Sequence, residues 1–107
     1  MLRRNWFHIL LALAEKDLHG SAIAADVLDR TDGELRLWPA TLYRALDELV
    51  EEGFAAPLTG DERPEGESLR KQYYAITPAG RRRLAEEAGR LAELAQVAKE
   101  RLGDAGA

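Results

Sequence analysis

The sequence predicts a winged helix-turn-helix: a mainly α chain with a small β-hairpin and a long C-terminal dimerisation helix. Three observations carry this. Three helical segments fill the first 53 residues, the third opened by Pro39 and closed by Gly53. Two short strand-like runs follow, joined by a polar loop rich in glycine, proline and acids. A last segment beginning at Thr77 keeps helical spacing to about Leu102. In this layout the third helix enters the major groove and the hairpin lies along the backbone.

The first helix spans about residues 4–15. At about 100° per residue, Trp6, Phe7, Ile9, Leu10, Leu11, Leu13 and Ala14 cover an arc of roughly 200°. That is wider than the stripe of a one-sided surface helix, so this helix is expected to pack against two partners. "KDLHG" then reads as a turn. Ser21 is the expected N-cap of a second helix over about 21–30, with Ile23, Val27 and Leu28 inward. "TDGE" breaks that helix.

The third helix spans about 39–52. Pro39 suits its first turn, where a missing N–H costs nothing. Leu42, Tyr43, Leu46, Leu49 and Val50 form the apolar stripe, and Gly53 is the stop. The wing strands are expected over about 54–58, with Pro57 marking an edge strand, and about 69–76. Thr77 should cap the last helix, with Pro78 in its first position. Leu84, Ala88, Leu91, Ala95, Ala98 and Leu102 recur at spacings of 4 and 3, flanked by Glu87 and Lys99. They make a narrow coiled-coil seam. A helix of some 25 residues is about 37 Å long and should overhang a small domain, so its seam needs a partner. A second copy of the chain is the simplest one. Residues 1–77 are therefore expected to form the DNA-binding domain, and 78–107 a dimerisation helix with a short tail.

Composition narrows the function classes. The chain has 107 residues, a net charge of −4 and no cysteine. Disulfides, cysteine-ligated zinc and cysteine nucleophiles are excluded, and the cytoplasm is the expected location. No apolar run reaches the roughly 20 residues of a membrane span. The basic-then-apolar start is broken by Glu15, Lys16 and Asp17, which argues against a signal peptide. The acidity is regional: residues 31–53 hold two arginines against six acids, which leans against reading the third helix as a DNA helix.

"LHG" at 18–20, "TLYRALDELVEEG" at 41–53 and "YYAITPAGRRRL" at 73–84 together resemble the PadR family of bacterial transcriptional regulators, in the right order and over roughly residues 6–84. The single short C-terminal helix resembles that family's smaller subclass. The resemblance implies a homodimer built from the last helix and the first. This adds Phe7, Leu10 and Leu94 to the seam residues as dimerisation candidates. It also implies a repressor released by a small aromatic or hydrophobic effector. Two positions depart from the family pattern. Ser21 and Ala22 stand where an aromatic often follows His-Gly, and Ala40 stands where a glycine often precedes Thr-Leu-Tyr.

The candidate DNA-binding residues follow from position. Ala40, Thr41, Arg44 and Asp47 share the face opposite the apolar stripe, with Tyr43 at its edge. Thr41 and Tyr43 can bond phosphates, and Arg44 can grip a guanine bidentately. From periodicity alone a solvated face is the favoured reading; the order of elements moves it to DNA contact. Asp47, Glu48, Glu51 and Glu52 are expected to point away from the duplex. His19 and Ser21, at the start of the second helix, offer a phosphate site or simply a cap. Arg70, Lys71 and Tyr73 in the second wing strand can meet phosphates, whereas Arg63 reads equally as part of a neutral wing. Arg81, Arg82 and Arg83 are expected to be solvated. Trp6 and Trp38 are expected to pack into the core, with Trp6 a stacking platform for an effector if a dimer leaves a cavity there.

Two isolated histidines and scattered carboxylates form no catalytic or metal constellation, and no cofactor is implied. The favoured reading is a sequence-specific DNA-binding transcriptional regulator acting on a pseudo-palindromic duplex. The alternative is a winged-helix adaptor that docks a basic protein on the acidic third helix and never meets DNA.

Overall fold

A computed structural model describes residues 1–63 and 71–103. The helices are α1 (Arg4–Glu15), α2 (Gly20–Arg30), α3 (Pro39–Glu51) and α4 (Pro78–Leu102), with strands β1 (Leu18–His19), β2 (Ala55–Pro57) and β3 (Tyr73–Ile76). The expected two-stranded hairpin is in fact the larger part of a three-stranded antiparallel sheet in the order β1-β3-β2. Leu18 pairs with Tyr74 and His19 with Tyr73. "KDLHG" reads as a turn in the sequence, since a two-residue strand is too short to show alternation; the strand character of Leu18 and His19 comes from the tertiary partner β3. Pro57 lies on an edge strand, as its missing N–H requires. Before β3, the expected strand residues 71 and 72 are not strand, and 69–70 lie outside the described residues.

Ile9, Leu10, Ile23, Val27, Leu42, Leu46 and Leu49 make a closed core, joined by Tyr74 of β3 and Leu84 of α4. The wide apolar arc of α1 packs against α2, α3, α4 and β3. This overturns two dimerisation candidates. Leu10 is 0% exposed and Leu84 9% exposed, so both belong to the chain's own core. The first turns of α4 pack on α1 and use up that end of the seam. Trp38 also departs from expectation. It is the N-cap residue of α3, 64% exposed, with the Arg36 guanidinium 5.2 Å from its ring centroid. The backbone needed to enter α3 turns its side chain outward.

Helix boundaries have local causes. The α2–α3 connection turns on left-handed Asp32 and Gly33. Thr31 closes α2, its Oγ1 donating to the Val27 carbonyl and accepting from Leu35 N. Thr77 caps α4 as expected, accepting from Gly80 N at 3.0 Å, and its hydroxyl donates to the Gly53 carbonyl at 2.6 Å. One side chain thus ties the end of α3 to the start of α4.

Glu87, expected on the solvated flank of the seam, is buried. Arg90 bonds its carboxylate, Arg83 lies nearby, and Leu2 N donates to Oε1 at 3.3 Å. The Arg90 hydrogen bond, opposed by burial and aided by Leu2 N and the charges of Arg90 and Arg83, holds the carboxyl down to about 2. No helix is long and apolar enough to cross a membrane among the described residues.

Candidate nucleic-acid interface

The outward face of α3 carries Ala40, Thr41, Tyr43 and Arg44, all exposed, in the first half of the helix. Leu42, Ala45, Leu46 and Leu49 are buried behind them, so the polar side is free to meet a surface.

Tyr43 is placed by a glycine. A Cβ at Gly20 would strike the Tyr43 hydroxyl and ring. The tyrosine therefore lies directly over the start of α2, and a larger residue at position 20 would push its ring aside. His19, just before Gly20, is the N-cap: its Nδ1 accepts from Ala22 N at 3.3 Å. Ser21, expected to be the cap, is instead an exposed residue of the first turn. The helix starts one residue earlier, because the imidazole caps it. Accepting this bond requires Nδ1 without a proton, which leaves Nε2 as the nitrogen able to donate.

Behind this surface stands the wing. The His19 ring meets the Tyr73 ring edge-on at 5.3 Å. The Arg63 guanidinium lies 5.7 Å from the Tyr73 centroid and donates to the Lys71 carbonyl at 2.6 Å. Tyr73, expected to contact DNA, is 5% exposed. It backs the surface and sets where His19 stands. Lys71 is exposed but precedes the strand rather than lying within it. Arg70 lies outside the described residues. Arg63, read from the sequence as part of a neutral wing as readily as a DNA contact, packs over Tyr73 and bonds the backbone beside β3.

The other flank of α3 faces the start of α1. There Thr41, Arg44, Ala45 and Glu48 oppose Arg3, Arg4, Asn5 and Trp6 across a cleft of about 320 Å³. Trp6 meets Phe54 edge-on at 6.5 Å, and the Arg3 guanidinium lies 4.7 Å from its ring centroid. Within the chain this ring therefore borders α3. Of the α3 acids, Glu48 is turned aside by Arg3 at 3.0 Å. Asp47 acts on Tyr74: burial first, then the charges of Asp47 and Tyr43, raise its hydroxyl above the ordinary value. No grouping of three acids or histidines suited to a metal ion occurs among the described residues.

The candidate interface thus brings together an exposed half-helix, a tyrosine seated on a second helix, and a strand-backed histidine. The family model "Transcriptional regulator PadR-like family" matches residues 9–86. An uncharacterized 37.1 kDa transposon protein of Streptomyces fradiae is 38% identical over 86 residues, covering 80% of this chain; the chain spans 22% of that relative's length. A PadR family transcription regulator from Clostridium difficile superposes with a TM-score of 0.75 at 24% identity, covering 94% of this chain and 100% of the other. The fold of Bacillus subtilis PadR, solved in complex with operator DNA, matches with a TM-score of 0.67 at 24% identity over 80% of this chain and 47% of that one. With its family match running from α1 into α4, the chain belongs to the PadR-like family of transcriptional regulators.

Proposed function

We propose that the chain binds duplex DNA sequence-specifically as a homodimer and represses transcription in the cytoplasm until a small aromatic or hydrophobic effector binds. The observation that carries the DNA reading is the exposed first half of α3, with Thr41 and Arg44 free of the core and Tyr43 resting over Gly20. Arg44 reads a base edge, Thr41 and Tyr43 contact the flanking strands, and His19 and Ser21 meet a phosphate at the start of α2. Few phosphate contacts fit a chain of net charge −4, so specificity rests on a small set of base contacts. Leu91, Leu94, Val97 and Leu102 are exposed on α4. They support pairing with a second copy and an apolar site for the effector.

The test is selection of bound sequences from random duplexes by the purified protein, followed by gel shift of the enriched site. A dyad-symmetric sequence should emerge. Arg44→Ala should then weaken its binding by roughly tenfold or more and relax preference at one position in each half. Failure of the wild-type chain to enrich any sequence overturns the proposal and would favour the protein-docking alternative.

A further inference from the structure

The cleft beside α3 carries charge that the base-reading role does not use. It holds the guanidiniums of Arg3, Arg4 and Arg44 against a single carboxylate, Glu48, in a chain that is acidic overall. Glu48 is taken by Arg3 at 3.0 Å, and Arg3 also covers Trp6. Among the described residues, neither Arg4 nor Arg44 has a side-chain hydrogen bond or ion pair. Two uncompensated cations lining one cleft repel each other, and an anion between them relieves that repulsion.

The position of this cleft selects the anion. Thr41 and Arg44 belong both to the cleft and to the outward face of α3. The major groove that receives a helix is about 12 Å wide and is bounded on both sides by phosphates. A duplex seated on α3 therefore brings one bounding strand over the start of α1. The segment that carries Arg4 is held in place: Leu2 is buried and its N–H is bonded to Glu87 of α4. The arginine thus stands on a fixed base.

We propose that Arg4 holds a backbone phosphate of the bound duplex in the cleft between the start of α1 and α3, beside Arg44 at the shared rim. This rests on the reading of α3 as the DNA helix. Arg4 positions the protein on the backbone, while Arg44 contributes base discrimination.

The test measures affinity against NaCl concentration for the selected duplex and for an unrelated duplex, using the full chain. Arg4→Ala should weaken both duplexes by a similar factor, about fivefold near ~0.1 M salt, and lower the salt slope by about 1. Arg4→Lys should restore the slope. Because Arg4 is exposed, both variants should melt like the wild type. If Arg44→Ala impairs binding while Arg4→Ala changes neither affinity nor slope, this inference falls and the DNA reading of α3 stands. If the wild type binds no duplex, both fall. Inhibition of the wild type, but not of Arg4→Ala, by inorganic phosphate at matched ionic strength would assign the cleft to a small anion and overturn the inference, provided the Arg4→Ala slope is unaltered.

Discussion

Glu87 is a single residue whose environment makes a measurable claim. Its carboxylate is bonded by Arg90 and Leu2 N and lies near Arg83. These hold its folded pKa near 2, against burial, from an ordinary value of 4.5. A depressed carboxyl pKa means the fold favours the ionised form. The stability it contributes is fully present above the ordinary value and is lost as pH falls through the folded one. Between about pH 4.5 and 2 the wild type should therefore lose stability more steeply than Glu87→Gln, measured by urea midpoint at each pH. Parallel curves would show that the ion pair does not couple to folding. Glu87 was not legible in the sequence. It follows Leu84 at i+3 like any flanking acid of a coiled coil, and only the return of Leu2 to α4 turns that flank inward. The role of Gly20 was half legible: the His-Gly pair stood out, but its reason, the Tyr43 ring over the helix start, joins residues 23 positions apart.

At the scale of elements, the helices read well because Pro39, Gly53, Thr77 and Pro78 are local signals that do not depend on distant partners. Gly53 adopts a left-handed φ of 82° and ends α3. Thr77 caps α4 through its hydroxyl. The sheet read less well, since β1 exists only because β3 is beside it. The junction of β2 with α4 holds a feature with a sharp consequence. A Cβ on Gly80 would collide with the Phe54 carbonyl oxygen, a backbone atom that also accepts from Thr77 N at 3.1 Å. That oxygen cannot withdraw without breaking the link between the end of α3 and the start of α4. Gly80→Ala should therefore destabilise the fold by about 2 kcal/mol, within the range for overpacking a tight interior contact, despite alanine's better helix propensity. Gly89→Ala, in the same helix with open space around it, should be neutral or stabilising by up to about 1 kcal/mol. Denaturant melts of the two variants give the comparison, and equal midpoints would contradict the contact.

At the scale of the molecule, the chain is longer than its size warrants. The radius of gyration is 15.9 Å and the longest extent 53 Å, where a compact chain of this length would have a radius of about 13 Å. The excess is α4, whose residues from Leu91 onward are all exposed. Its apolar side chains there, Leu91, Leu94, Ala95, Val97, Ala98 and Leu102, span an arc of roughly 160°. That is wider than the narrow seam read from the heptad spacing, because Leu94 and Val97 extend it on one side. Leu11 of α1 is exposed as well. An exposed face of this kind calls for a partner, and a two-fold pairing through a second α4 covers it with the same residues from both copies. The wild type should therefore sediment as a dimer, and its melting temperature should rise with protein concentration. The double variant Leu91→Glu, Leu94→Glu alters only exposed positions. It should sediment as a monomer, melt independently of concentration, and bind a single half-site in place of the full dyad. Leu84 is the instructive control. It lies in register with the seam but inside the core, so Leu84→Ala should lower the melting temperature without dissociating the dimer. A wild-type chain that stays monomeric at all concentrations would mean that α4 serves some other partner. The paired geometry of the two α3 helices would then have no basis.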